Sequence, residues 1–153
     1  MRSLILLSFL SCSTILSAQS NHLQVGAAQS DITPSVGTPM AGYYTPREMS
    51  GVHDPLQAKT LILDDGTTRI VQIVCDLLFP RKTVFTRVRK MIAAELKIPE
   101  SHITISATHT HTGPKRNVAS ESGTSDRTAS QSDLLTSYAE TLPGKIMESV
   151  RSA

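Results

Sequence analysis

Three apolar stretches in the first half of the chain have the composition of β-strands. The stretch "LQVGAAQSDITP" predicts a short strand that ends at its proline. Further on, "KTLIL" and "RIVQIVC" are rich in apolar and β-branched residues, and Asp65-Gly66 between them is typical of a hairpin turn. Because the second of these two runs is almost continuously apolar, we expect both of its faces to be covered.

The apolar spacing becomes helical after the hairpin. In "RKTVFTRVRKMIAAELKIP" the apolar residues recur at intervals of three and four, which predicts an amphipathic helix that Pro99 stops. The next run, "HITISAT", predicts another strand. Strand, helix and strand in this order form a βαβ unit with a right-handed crossover. The predicted fold class is therefore α/β, a layered mixed sheet with flanking helices.

The end of the chain predicts a second helix. The apolar residues of "LLTSYAETLPGKIMESVRSA" have helical spacing, and Ser132 or Asp133 is the expected N-cap. Pro143 and Gly144 interrupt this pattern. Since proline disrupts a helix interior, we expect a kink there, or two short helices.

Two further segments have the composition of loops. "SVGTPMAGYYTPREMSGVHDPL" is dense in Gly and Pro, which excludes a regular helix or a central strand. It predicts a long surface loop, either ordered or disordered, and long ordered loops tend to carry function. "KRNVASESGTSDRTASQSD" is polar and rich in Ser and Thr, and it predicts a mobile loop.

Residues 1–20 have the pattern of an export signal. Arg2 precedes an apolar core, and Ala18-Gln19-Ser20 has the small-x-small pattern of a cleavage site. A short buried N-terminal helix, or lipid attachment at Cys12, fits this segment less well. We therefore expect a secreted or periplasmic protein that consists of residues 21–153. Removal of the signal leaves Cys75 as the only thiol, so no intrachain disulfide can form.

Length and charge narrow the class of protein. The chain has 153 residues, a length typical of one domain, and a hydrophobic fraction of 39% is enough for an ordinary core. The net charge of +2 is mild, and the sequence has no basic run with interleaved aromatic residues. Nucleic acid is therefore not an expected partner.

The stretch "ISATHTHTGP" places two histidines at the end of a predicted strand. In an extended chain His109 and His111 share a face, with their side chains roughly 6–7 Å apart at the base. Two neutral imidazoles at this spacing can bind one zinc ion, which takes three protein ligands in catalytic sites. The sheet end where Asp76 and His109 lie is also where α/β sheets bind ligands. The alternative is that both are polar loop histidines without a ligand.

Two other residues are weaker candidates. Asp76 is either a metal ligand or a carboxylate that accepts hydrogen bonds from loop amides. His53, followed by Asp54, is more consistent with a structural position or a substrate rim than with catalysis. No serine lies in a G-x-S-x-G pattern, so the sequence does not indicate an α/β-hydrolase nucleophile.

Five segments in order resemble one protein family. They are "DITP", "MAGY", "GVHDPLQAKTLILDDG", "IVQIVCDLL" and "ISATHTHTGP". Together they resemble the N-terminal domain of the neutral/alkaline, non-lysosomal ceramidases, from about Val25 to the final helix. The resemblance departs from the family pattern after Pro114, where Lys115 to Asn117 stand in place of glycines.

The resemblance implies zinc-dependent hydrolysis of a lipid amide such as ceramide, to sphingosine and a fatty acid. It implies that His109 is a zinc ligand and that His111 is its catalytic neighbour. It further implies that this α/β domain, residues 21–153, is a C-terminally incomplete part of a larger catalytic domain. The other zinc ligands then lie in a missing downstream part of the same protein, and peripheral membrane contact is consistent with the substrate.

Three alternatives stay open at the level of sequence. The chain is a secreted, non-catalytic ceramidase-like domain, or a relative that hydrolyses a different amide or ester. A third alternative is an unrelated H-x-H metallohydrolase that uses Asp76 and His53.

Overall fold

A computed structural model of the chain describes residues 22–115 and 128–153. The predicted signal peptide and most of the predicted Ser/Thr-rich mobile loop lie outside the described residues. Within the described part, three strands are followed by a helix, a fourth strand and a second helix.

The four strands form one mixed sheet in the order β1-β2-β3-β4. β1 pairs with β2 and β2 with β3 in antiparallel fashion, whereas β3 and β4 are parallel. The strands are β1 (Gln24–Asp31), β2 (Gln57–Asp64), β3 (Arg69–Cys75) and β4 (Ile103–Ala107). This topology confirms the α/β class with a mixed sheet and flanking helices.

The β2–β3 hairpin forms where the sequence predicts it. The carboxylate of Asp64 accepts the Gly66 N–H at 2.8 Å, and Gly66 has a φ of 84°, which glycine adopts without strain. The Asp65 carboxylate accepts the N–H groups of Thr67 and Thr68 at 2.9 and 2.7 Å. These backbone N–H groups hold the pKa of both aspartates below the ordinary value.

Helix α1 (Lys82–Leu96) connects β3 to β4, which confirms the βαβ unit. Its buried residues, which recur at the predicted spacing, are Val84, Phe85, Val88 and Ile92. The helix ends at Lys97 in a left-handed conformation, and a 3₁₀ turn (Glu100–His102) leads into β4.

Helix α2 (Ala129–Ser152) differs from its prediction in two respects. Its N-cap is Thr128, whose hydroxyl accepts the Gln131 N–H while the Gln131 side chain accepts the Thr128 N–H. This capping box starts the helix earlier than Ser132 or Asp133 would. The predicted division into two helices at Pro143 is wrong, because the helix continues through it. The Pro143 ring is fully buried, so packing on the core compensates for the missing N–H.

Both helices pack on the same face of the sheet. Helix α2 contacts β1, β2 and α1, and α1 contacts β4. In β3, Val71, Ile73 and Cys75 are buried beneath this layer, whereas Gln72 and Val74 on the opposite face are exposed. The expectation that both faces of β3 are covered is therefore wrong within the described residues. Neither described helix is long and apolar enough to cross a membrane.

Candidate functional site

The Gly/Pro-rich loop is ordered and pairs with the segment that follows the two histidines. Pro39 bridges Glu48 within the loop, and Met40 bridges Pro114. The second bridge consists of two 2.8 Å hydrogen bonds, from Ala41 N–H to the Gly113 carbonyl and from Lys115 N–H to the Pro39 carbonyl. The two segments thus form a small antiparallel arrangement at the carboxyl end of β4.

His109 follows β4 in a left-handed conformation, with a φ of 64°. Its backbone N–H donates to the Leu77 carbonyl at 3.0 Å, and its ring Nδ1 lies 2.9 Å from the Leu78 carbonyl oxygen. The Phe79 ring packs edge-on against the imidazole, with centroids 5.2 Å apart. A left-handed backbone is uncommon in a residue other than glycine, and such strained positions cluster at functional sites.

His111 is held by the Gly/Pro-rich loop. Its Nδ1 lies 2.8 Å from the Gly42 carbonyl oxygen, and the Tyr43 ring lies edge-on at 6.4 Å. Gly42 has a φ of 86°, and a Cβ atom at this position would lie 2.5 Å from the His111 Cγ atom. Only glycine therefore allows this backbone to approach the ring so closely.

The two rings lie together, with centroids 5.3 Å apart and planes at 74°. A carbonyl oxygen only accepts hydrogen bonds, so Nδ1 of each ring is the donor. In the neutral imidazole this leaves Nε2 with the free lone pair. The predicted proximity is confirmed, but an extended backbone does not produce it, because β4 ends at Ala107 and His109 is left-handed.

Asp76 directly follows β3, as predicted, and binds the start of β2 and the residue that precedes His109. Its carboxylate accepts the Gln57 N–H at 3.0 Å and the Thr108 hydroxyl at 3.2 Å. These bonds agree with a carboxylate that accepts hydrogen bonds, although the donors are a strand amide and a hydroxyl group rather than the predicted loop amides. Among residues 22–115 and 128–153, no three His, Cys, Asp or Glu side chains cluster closely enough to hold a metal ion.

His53 is not grouped with the histidine pair. Its side chain is 97% exposed and its Nδ1 lies 2.9 Å from the Asp54 carboxylate, so the neighbour pair does orient this imidazole. Both residues line a cavity of about 250 Å³ that also includes Met49 and Thr112. This position agrees with a rim or structural position rather than with the H-x-H metallohydrolase alternative.

A small cleft of about 110 Å³ adjoins the histidines. Its lining includes Leu78, whose carbonyl binds His109, and Gly42, whose carbonyl binds His111. The guanidinium of Arg81 reaches the same cleft although the residue is only 7% exposed. Arg81 was not among the candidate residues, since in sequence it is simply the first cation of a basic helix.

Comparison with known protein families finds the same family that the ordered sequence segments resemble. Residues 23–125 match the family described as "Neutral/alkaline non-lysosomal ceramidase, N-terminal". No curated protein sequence matches the chain significantly.

Two solved structures share the fold. The neutral ceramidase from Pseudomonas aeruginosa has a TM-score of 0.65 at 21% identity, over 86% of this chain and 21% of that chain. A structure described as "Ceramidase complexed with C2" has a TM-score of 0.64 at 19% identity, over 85% of this chain and 21% of that chain. The chain thus spans about a fifth of the length of these ceramidases. The family match, over most of the described residues, shows that this chain belongs to the neutral/alkaline non-lysosomal ceramidase family.

Proposed function

We propose that this chain supplies part of the active site of a zinc-dependent amide hydrolase of neutral ceramidase type. In this proposal His109 binds the zinc ion, His111 is the catalytic neighbour, and the substrate is a lipid amide such as ceramide. The observation that carries the proposal is the pair of hydrogen bonds from the two Nδ1 atoms to backbone carbonyls. These bonds fix both rings with Nε2 available.

The residues present fit a zinc ion in part. Neutral imidazole nitrogen is a preferred zinc ligand, and a zinc-bound histidine usually donates its other N–H to a carbonyl or carboxylate. The Leu78 carbonyl is such a partner for His109. A catalytic zinc takes three protein ligands, so the described residues supply too few. When bound, zinc polarises a substrate carbonyl and lowers the pKa of a coordinated water molecule.

His111 supports the reaction through proton transfer in this proposal. Imidazole is the side chain that most often serves as a general acid or base. With Nδ1–H donated to the Gly42 carbonyl, Nε2 is the atom that accepts a proton from water and returns it to the leaving amine. A 180° rotation of the ring about its Cβ–Cγ bond would replace Nδ1–H with a carbon-bound hydrogen and lose the hydrogen bond to the Gly42 carbonyl. This hydrogen bond therefore fixes the orientation of the ring.

The remaining ligands belong, in this proposal, to a further part of the same protein. Two observations support this. The chain spans only 21% of the structurally similar ceramidase. In addition, the sheet face opposite the helices exposes apolar side chains, among them Val25 at 60% and Val74 at 39%. Such a face is typical of a surface that packs against another part of a protein.

Export and membrane contact complete the proposal. A signal peptide over residues 1–20 would deliver the protein to the periplasm or the medium. A lipid amide substrate resides in membranes, so a periplasmic or secreted hydrolase would meet it through peripheral contact at a membrane surface.

Metal analysis tests the role of the histidines. We expect the purified protein to bind zinc weakly, and His109→Ala and His111→Ala to reduce that binding further. His53→Ala is the matched control, because His53 is exposed and forms no metal-binding cluster with the pair among the described residues. Zinc binding that survives both substitutions would contradict the proposed site. A parent protein that binds no zinc would favour the non-catalytic domain.

Activity assays test the need for a further part. We expect the isolated chain to show no robust hydrolysis of a fluorescent ceramide analogue, since the metal site lacks ligands. Strong amidase activity that a chelator abolishes would refute this expectation. Fusion to the rest of a ceramidase catalytic domain should restore turnover, and a panel of other amides and esters would identify a different substrate class.

A further inference from the structure

We infer that Arg81 is a positioning residue that locks the histidine segment against the Gly/Pro-rich loop and thereby sets the orientation of His111. This inference deepens the proposed function, because the orientation matters for catalysis only if His111 acts as proposed. The structural part of the inference stands without any metal.

The guanidinium of Arg81 binds the chain directly after the histidines. Its Nη2 donates to the carbonyls of Pro114 and Lys115, both at 2.9 Å. The group also lies over the Tyr138 ring, 5.4 Å from the ring centroid. Tyr138 in turn donates its hydroxyl hydrogen to the Ile32 carbonyl at 2.8 Å. The arginine therefore connects the start of α1, the interior face of α2 and the end of the histidine segment.

Arg81 occupies a position that is unfavourable for a cation. The residue is 7% exposed, and burial of a charge is costly unless hydrogen bonds compensate it. It is also the N-cap of α1, where the helix dipole repels positive charge, and it forms no side-chain cap. The Pro114 and Lys115 carbonyls and the Tyr138 ring are among the contacts that compensate this burial, and the two carbonyls direct the guanidinium toward the histidine segment rather than toward α1.

The link from Arg81 to His111 passes through one backbone bridge. Pro114 and Lys115, which Arg81 binds, are paired with residues 39–41 through the two hydrogen bonds described above. Gly42 follows directly, and its carbonyl accepts the His111 Nδ1–H. If the 113–115 segment moves away from residues 39–41, the Gly42 carbonyl and the His111 ring separate.

Amide hydrogen exchange on the purified full chain tests this link directly. Arg81→Met keeps an unbranched apolar stem and removes the charge and the donors. We expect exchange at the Ala41 and Lys115 amides to accelerate about tenfold or more, because hydrogen bonds to charged groups are stronger than neutral ones. Exchange in the middle of β3, at Ile73, should change far less. The His111 Nδ1–H signal in the NMR spectrum should lose its protection from solvent.

Matched variants separate positioning from general destabilisation. Arg89→Met is the control, because Arg89 lies on the same helix and also donates to a carbonyl, that of Ile103 at 3.2 Å, away from the histidines. It should leave the Ala41 and Lys115 amides protected. Arg81→Lys retains the charge and should restore part of the protection. If Arg81→Met does not fold, the comparison of Arg81→Lys with Arg89→Lys decides the question.

The outcomes for the positioning role and for the proposed function are distinguishable. Unchanged exchange at Ala41 and Lys115 in Arg81→Met, or an equal change in Arg89→Met, overturns the positioning role whatever the metal does. Zinc titration of the same variants is the second measurement, and Arg81→Met should lose less zinc affinity than His109→Ala, because His109 is the proposed ligand. If the parent binds no zinc while the exchange result is as expected, the proposed function fails and the positioning role stands.

Discussion

Substitution of Gly42 by alanine gives the sharpest test of the site geometry. The Cβ atom of an alanine would lie 2.5 Å from Cγ, 2.6 Å from Nδ1 and 2.9 Å from Cβ of His111. Real Cβ atoms do not approach other atoms so closely, so the ring must move. The ring is fixed by its hydrogen bond to the carbonyl of Gly42 itself, so its displacement breaks that bond.

The expected loss of stability has two parts. The φ of 86° at Gly42 is left-handed, and a residue with a Cβ atom costs roughly 1–2 kcal/mol there. Loss of the His111 hydrogen bond adds about 1 kcal/mol. The sum of about 2–3 kcal/mol corresponds to a decrease in Tm of about 10 °C for a domain of this size.

Thermal unfolding followed by circular dichroism measures this loss, and zinc titration measures its effect on the site. Gly51→Ala is the matched control, because nothing lies within 4 Å of a Cβ atom at Gly51. It should change stability by no more than about 0.5 kcal/mol. A Gly42→Ala variant that unfolds at the parent Tm and retains its zinc affinity would show that the close contact between Gly42 and His111 does not exist in solution.

Four further predictions concern other parts of the chain. Gly144→Ala should stabilise the protein by about 0.5–1 kcal/mol in urea unfolding, since Gly144 is exposed inside α2 with open space around it; a loss of stability would contradict a continuous helix. The Cys75 thiol is buried, which raises its pKa to about 12, so iodoacetamide should label it only after unfolding, as peptide mass spectrometry would show. Asp65 has a lowered pKa, so its ionised form stabilises the fold above pH 3.8 and this contribution is lost as the pH falls through the lowered value. Asp65→Asn should therefore be less stable than the parent at pH 7, with a difference that shrinks in acid; a difference independent of pH would refute this. Export should remove residues 1–20, so intact-mass analysis of exported protein should give Asn21 as its first residue rather than Met1.

The elements with strong local signals were predictable from sequence. The hairpin follows from the turn chemistry of Asp65-Gly66, and α1 follows from an apolar spacing that matches its buried face. The N-terminus of α2 was missed because the Thr128 and Gln131 capping box lies inside a polar stretch with loop composition. Its continuity through Pro143 was missed because tertiary packing overrides local propensity.

The site was predictable only in its residue types. The spacing of His109 and His111 indicated a shared face, but the rings meet through a left-handed residue and a turn. The carbonyls that accept the two Nδ1–H groups belong to Leu78 and Gly42, which lie 31 and 69 residues away in the chain. Because every residue has a backbone carbonyl, the sequence does not indicate which carbonyls approach the rings. In "RIVQIVC" the polar residue Gln72 indicated that one face of β3 is exposed to solvent.

The arrangement of α2 has a consequence for biosynthesis. Each strand of the sheet pairs with its neighbour in sequence, so the sheet can assemble progressively as the chain is made. The residues of α2 that cover one face of the sheet follow all four strands in the chain, and Leu142, Ile146 and Met147 among them are fully buried. A nascent chain that has completed β4 therefore holds a sheet without much of its cover until the final turns of α2 are synthesised. During that interval the uncovered apolar face of the sheet is prone to aggregation.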